Sequence, residues 1–139
     1  MKKELGEFVW PEDFAWPESH SDSMIYLGLC HDAGMLASCG IEIEYDKEDY
    51  AAAKAALVAE GVSVCFEDVL FRIVEMGNLW KIYDSDNEEY LDPVGLKELR
   101  ANIRNMPVRW WFQFIERNDD GETANVALQY ALFGDCIYG

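Results

Sequence analysis

Ile41-Glu42-Ile43-Glu44-Tyr45-Asp46 runs straight into Lys47-Glu48-Asp49-Tyr50-Ala51-Ala52-Ala53-Lys54-Ala55-Ala56, and this stretch decides the fold class. Over 41–45 apolar and acidic side chains alternate, the period of a strand with one wet face. Asp46 stands where a helix N-cap belongs, and the alanines beyond it are the strongest helix formers. A helix over 47–60, stopped by Gly61, is therefore expected. A half-buried strand feeding an alanine-rich helix points to an α+β fold, a single domain of helices packed on a small antiparallel sheet.

The rest of the chain supplies the partners. Val62–Phe66 reads as a strand; Val69–Glu75 and Leu79–Tyr83 read as two more, flanking Met76-Gly77-Asn78 as a hairpin. Asp84-Ser85-Asp86-Asn87 is a second turn, followed by a short strand near Glu89–Leu91. Asp92-Pro93 has the form of an N-cap followed by proline at the first helical position, predicting a helix to about Asn105 with Leu96, Leu99 and Ile103 inward. On the N-terminal side, Ser21 and Ser23 predict a helix over 23–38, although Gly28 and Gly34 each weaken it by about 1 kcal/mol. Residues 108–117 fit either period; Asn105 and Pro107 favour a buried helix. Asp119-Asp120-Gly121 reads as a turn and Thr123–Phe133 as a helix ended by Gly134. Residues 1–22, with Trp10-Pro11 and Trp16-Pro17, read as an extended arm, leaving 23–139 as the domain.

Charge sets the function classes. The chain has 27 Asp and Glu against 11 Lys and Arg, a formal −16 over 139 residues, with 14 % aromatics. That aromatic content argues for a charged coat on a folded core and against a disordered acidic tail. Such a field repels nucleic acid and attracts basic surfaces. The basic residues Lys97, Arg100, Arg104, Arg109 and Arg117 form an island, read as balancing the acidic remainder within the fold or across a self-association surface, so a homo-oligomer is compatible. No apolar run spans a membrane and no signal peptide is read. Four dispersed cysteines, Cys30, Cys39, Cys65 and Cys136, suggest reduced, buried thiols and a cytoplasmic setting.

The C-terminal pattern adds a resemblance. A hairpin, an Asp-Pro helix, an acidic turn, the run Glu122-Thr123-Ala124-Asn125-Val126-Ala127-Leu128-Gln129-Tyr130-Ala131-Leu132-Phe133-Gly134-Asp135 and a closing Tyr138-Gly139 together resemble a group of small, acidic, uncharacterised phage and prophage proteins. The resemblance covers 67–139. It implies a mobile-element origin and brings no active-site residues with it.

Chemical motifs are scarce. Cys30-His31-Asp32 places three reactive types in a row, but helical neighbours diverge by ~100° and do not converge on one point. Asp84, Asp86 and Glu88 open like a calcium loop, yet Glu89 stands where the loop needs glycine and Gly95 where it needs a bidentate Glu. Trp110-Trp111-Phe112 lacks the positive groove of a base-stacking platform and reads as core. No Gly-rich phosphate loop, nucleophile elbow or zinc spacing is present. Catalytic residues, metal ligands and cofactors are thus expected to be none. The sequence supports a non-catalytic acidic protein that binds a basic surface of a partner protein, as an inhibitor or DNA mimic would. The candidate contacts are Glu42, Glu44, Asp46, Glu48 and Asp49, and a second group, Asp84, Asp86, Glu88 and Glu89. The alternatives are a small cysteine/histidine-dependent enzyme and an immunity protein for a nuclease toxin.

Overall fold

The computed structural model describes Pro11 and residues 18–38, 40–115 and 121–135. Among them are six helices and a three-stranded antiparallel sheet, an α+β fold. The chain divides into two compact units, residues 36–97 and residues 1–35 with 98–139. Of the expected arm, residues 1–10 and 12–17 lie outside the described residues, as do the turn at 119–120 and the end of the 108–117 segment.

The 36–97 unit holds the sheet. Strand β1 (Ile41–Glu44) leads into α2 (Lys47–Glu60), then α3 (Phe66–Glu75), β2 (Lys81–Asp84) and β3 (Glu89–Tyr90); α1 (Glu18–Ser38) precedes them. The sheet order is β1-β2-β3, with Ile41 opposite Asp84, Glu42 opposite Tyr83, Ile43 opposite Ile82 and Glu44 opposite Lys81. Helix α2 has the expected bounds, and Gly61 closes it in the left-handed conformation at φ 72°. There the Gly61 N–H donates to the Val58 carbonyl and the Val62 N–H to that of Leu57, satisfying carbonyls the helix end would orphan. Asp46 occupies the cap position without a side-chain cap bond, because its carboxylate is taken by Lys81.

Four expectations are corrected in this unit. Residues 62–65 are not a strand, and 69–75 belong to α3. Val69, Leu70, Ile73 and Val74 are all buried, at i, i+1, i+4 and i+5. That spacing puts them on one helical stripe, whereas a strand would send them to both faces. Glu67 and Asp68 in the first turn favour the helix through its dipole. The β-branched residues suggested a strand, but packing outweighs intrinsic propensity. The supposed hairpin at 76–78 is the end of α3: Gly77, at φ 91°, donates to Val74 and Asn78 donates to Ile73. Asp92-Pro93 does not open a helix either. The Leu91 N–H donates to Ile82, and Val94 exchanges both backbone bonds with Trp80. Asp92 and Pro93 thus stand together opposite Lys81 as a bulge, a place where proline's missing N–H does no harm.

The core of this unit includes Ile41, Leu57, Val69, Leu70, Ile73, Trp80, Ile82 and Val94. The fully buried Trp80 indole N–H donates to the Leu70 carbonyl at 2.9 Å, pinning α3 against the sheet. Arg72 bridges Glu60 and Glu75, tying α3 to α2.

The other unit is helical: α1, α4 (Leu96–Ile103), α5 (Val108–Ile115) and α6 (Gly121–Phe133). Helix α1 begins at Glu18, so Ser21 and Ser23 lie inside it; the Ser23 hydroxyl bonds the Ser19 carbonyl one turn back. Gly28 is there for proximity: a Cβ added to it would lie 2.9 Å from Leu128 Cβ and 3.2 Å from the Ala124 carbonyl oxygen on α6. The 108–115 segment is the favoured helix, with Trp110 and Trp111 buried as core and Phe112 exposed.

Candidate functional site

Strand alternation sorts the 36–97 unit's sheet into two faces. Ile41, Ile43, Ile82 and Asp84 share the inward face, and Ile41, Ile82 and Asp84 are buried. Glu42, Glu44, Lys81 and Tyr83 share the outward face with Tyr90, which pairs with Tyr83. The rings of Tyr83 and Tyr90 lie 4.9 Å apart, tilted by 42°. The Tyr90 hydroxyl donates to Glu44 Oε1 at 2.8 Å. That bond holds the proton on the phenol and raises its pKa above the ordinary tyrosine value. Lys81 Nζ lies 2.6 Å from Asp46 Oδ1, and this hydrogen bond keeps the ammonium protonated above the usual lysine value. Beside these groups is an open groove of about 370 Å³ lined by Lys81, Tyr90, Leu91 and Pro93.

The nine candidate contacts divide by what they touch. Glu42, Glu48, Asp86, Glu88 and Glu89 are exposed and Asp49 is half-buried. No hydrogen bond or ion pair engages these six carboxylates among the described residues. Glu44 and Asp46 are held by Tyr90 and Lys81. Asp84 departs from the expectation of a displayed contact: it is 8 % exposed. Its Oδ1 accepts from the Asp86 and Asn87 backbone N–H groups, and its Oδ2 accepts from the Asn87 amide at 2.7 Å. Those bonds, Asn87's amide foremost, hold its carboxyl below the ordinary aspartate value. Asp84 therefore builds the β2–β3 turn, whose residue Glu88 sits at φ 53° and whose Asp86 carboxylate lies against Gly40.

Sequence reading missed Lys81, Tyr83, Tyr90, Leu91 and Pro93 as members of this face. The alternation Lys81-Ile82-Tyr83 carried the signal, but only the register shows which β1 residues lie beside them.

No group of three or more His, Cys, Asp or Glu among the described residues could hold a metal ion. Cys30 and Cys65 are exposed, against the expectation of buried thiols; Cys39, Cys136 and the His31 side chain lie outside the described residues. In the helical unit Arg100 grips both oxygens of Asp22 at 2.8 Å and reaches Glu18 at 3.2 Å. Arg104 donates to the Pro11 carbonyl, and the Arg109 guanidinium lies 4.8 Å from the centre of the Trp110 ring. These contacts place three members of the basic island in internal interactions. Arg117 lies outside the described residues. No helix among the described residues is long and apolar enough to cross a membrane.

No family model, curated protein or solved structure matches this chain. Two parts of the pattern behind the phage-protein resemblance, the hairpin over 69–83 and the Asp-Pro helix, take other forms in the structure.

Proposed function

We propose that the chain is a non-catalytic acidic protein that binds a basic surface of a partner protein. The observation that carries this reading is the set of unengaged carboxylates on and around the outward sheet face. Glu42 lies on that face, Glu48 and Asp49 at the start of α2 and Asp86 and Glu88 in the β2–β3 turn, while Glu89 opens β3 opposite Asp84. Residues 36–97 hold 14 acidic and 5 basic side chains, a net of −9. Carboxylates already paired at home contribute little to a partner, whereas exposed, unpaired ones steer a cationic surface and speed its association. A nucleic-acid-binding groove on another protein has the complementary field, so inhibition of a nuclease, or DNA mimicry more broadly, falls within this reading. A cytoplasmic setting, where exposed Cys30 and Cys65 would stay reduced, and a mobile-element origin belong to the same proposal.

The test compares two pairs of neutralising substitutions, each changing the net charge equally. Glu42→Gln with Glu88→Gln removes unengaged carboxylates from the outward face and the adjoining β2–β3 turn; Glu67→Gln with Glu98→Gln removes carboxylates from α3 and α4. Binding to immobilised protamine is measured at about 50 mM and about 300 mM salt. The first pair should weaken binding several-fold more than the second at low salt, and all affinities should fall at high salt. Equal losses from both pairs would reduce the interaction to net charge and defeat the reading.

A further inference from the structure

We infer that the partner engages this face through an arginine stacked on the Tyr83–Tyr90 pair, with a neighbouring apolar side chain seated in the groove beside it. This rests on the reading of the chain as an acidic binder and names the chemistry that the sheet face selects. The groove is walled by Tyr90, Leu91, Pro93 and Lys81. Pro93 reaches it because of the bulge at Asp92-Pro93 opposite Lys81. The Lys81 ammonium is drawn to Asp46, which leaves its aliphatic stem as wall and its charge neutralised. An incoming cation thus meets no uncompensated positive charge there.

Tyr90 is 60 % exposed, yet its ring is fixed at the hydroxyl by Glu44 and packed against Tyr83. A large aromatic surface held open to solvent in one orientation is pre-organised for a flat partner. A guanidinium lies flat on a phenol ring while its N–H donors stay in plane for a carboxylate. Glu42, unengaged and opposite Tyr83 in the register, offers that carboxylate. Lysine, a compact and strongly hydrated charge, uses the carboxylate but gains less from the rings. A volume of about 370 Å³ is at the small end for ligand sites, enough for one or two side chains. A second copy of this chain is disfavoured as the occupant, since each copy carries −16.

The test uses two blocked pentapeptides, Gly-Arg-Leu-Arg-Gly and Gly-Lys-Leu-Lys-Gly, titrated into the full chain while the tyrosine ring signals are followed by NMR. The arginine peptide should bind roughly three- to fivefold more tightly, the margin an exposed cation–π contact gives, and should shift the Tyr83 and Tyr90 rings. Tyr90→Ala should erase that margin with the circular dichroism spectrum unchanged, and Tyr90→Phe should keep it. Replacing the peptide's leucine by alanine should weaken binding further. Equal affinity for both peptides with unmoved ring signals, or no peptide binding while protamine still binds, would overturn this inference and leave the acidic-binder reading standing. Failure of protamine as well would remove both. Self-association that Tyr90→Ala abolishes, seen by sedimentation, would assign the face to a second copy and also overturn the inference.

Discussion

Replacing Trp80 by phenylalanine should unlatch α3 from the sheet without changing the sheet's register. The Trp80 side chain is fully buried and its indole N–H donates to the Leu70 carbonyl at 2.9 Å, while its backbone exchanges two bonds with Val94. Phenylalanine keeps the backbone pairing and loses the rest. The lost hydrogen bond is worth about 1 kcal/mol. About three buried heavy atoms disappear, on the order of 1–2 kcal/mol at ~0.8 kcal/mol per methylene equivalent. Incomplete collapse around the smaller ring adds to both, giving a total of about 2–3 kcal/mol. With a urea m-value of about 1–2 kcal/mol/M, the midpoint should fall by roughly 1–3 M. The loss belongs to residues 36–97, so amide exchange in β1, β2 and α3 should quicken to match. A variant within about 0.5 kcal/mol of the parent would refute Trp80 as the latch, that being the range of an ordinary surface change.

Other outcomes follow from single contacts. Gly28→Ala should destabilise the helical unit in thermal melts, because overlap with Leu128 and the Ala124 carbonyl costs about 1–3 kcal/mol against a helix-propensity gain of about 1; a raised melting temperature would contradict the close approach. Tyr90 has a raised pKa through Glu44, so its contribution to stability is whole below the usual phenol value near 10 and is lost as pH rises through the higher folded value. Glu44→Gln should move the Tyr90 ring's NMR titration back toward the usual value, and an unmoved titration would contradict the bond. Asp84 has a depressed pKa, so its contribution is whole above the usual aspartate value near 3.9 and is lost as pH falls through the lower folded value. Melts should show Asp84→Asn less stable at neutral pH, with the gap closing in acid; a gap independent of pH would contradict the turn geometry.

The α+β class and the 41–60 strand–helix unit were legible because pattern, cap position and composition agree there. The same agreement made α6 and the β2–β3 turn readable. Agreement failed at 62–75, where β-branched residues spoke for strands and the burial stripe for a helix. It failed at Asp92-Pro93 because a proline bulge and a proline helix start look alike until Val94 is seen paired with Trp80. For the candidate site, the acidic half was visible as a run of carboxylates. The aromatic half was not, since Tyr83 and Tyr90 join Glu42 and Glu44 only through sheet register. Asp84 looked like one more surface charge because local hydrogen bonds that turn a carboxylate inward leave no mark on composition.

The most direct test of a displayed acidic face is where a bound cationic protein leaves its footprint. Amide hydrogen exchange should be compared for the chain alone and saturated with protamine. The account predicts new protection over 41–50 and 81–91, the strands, turn and helix start that carry the unengaged carboxylates and the tyrosine pair. Protection confined to 98–135, or spread evenly over every exposed acidic segment, would contradict it.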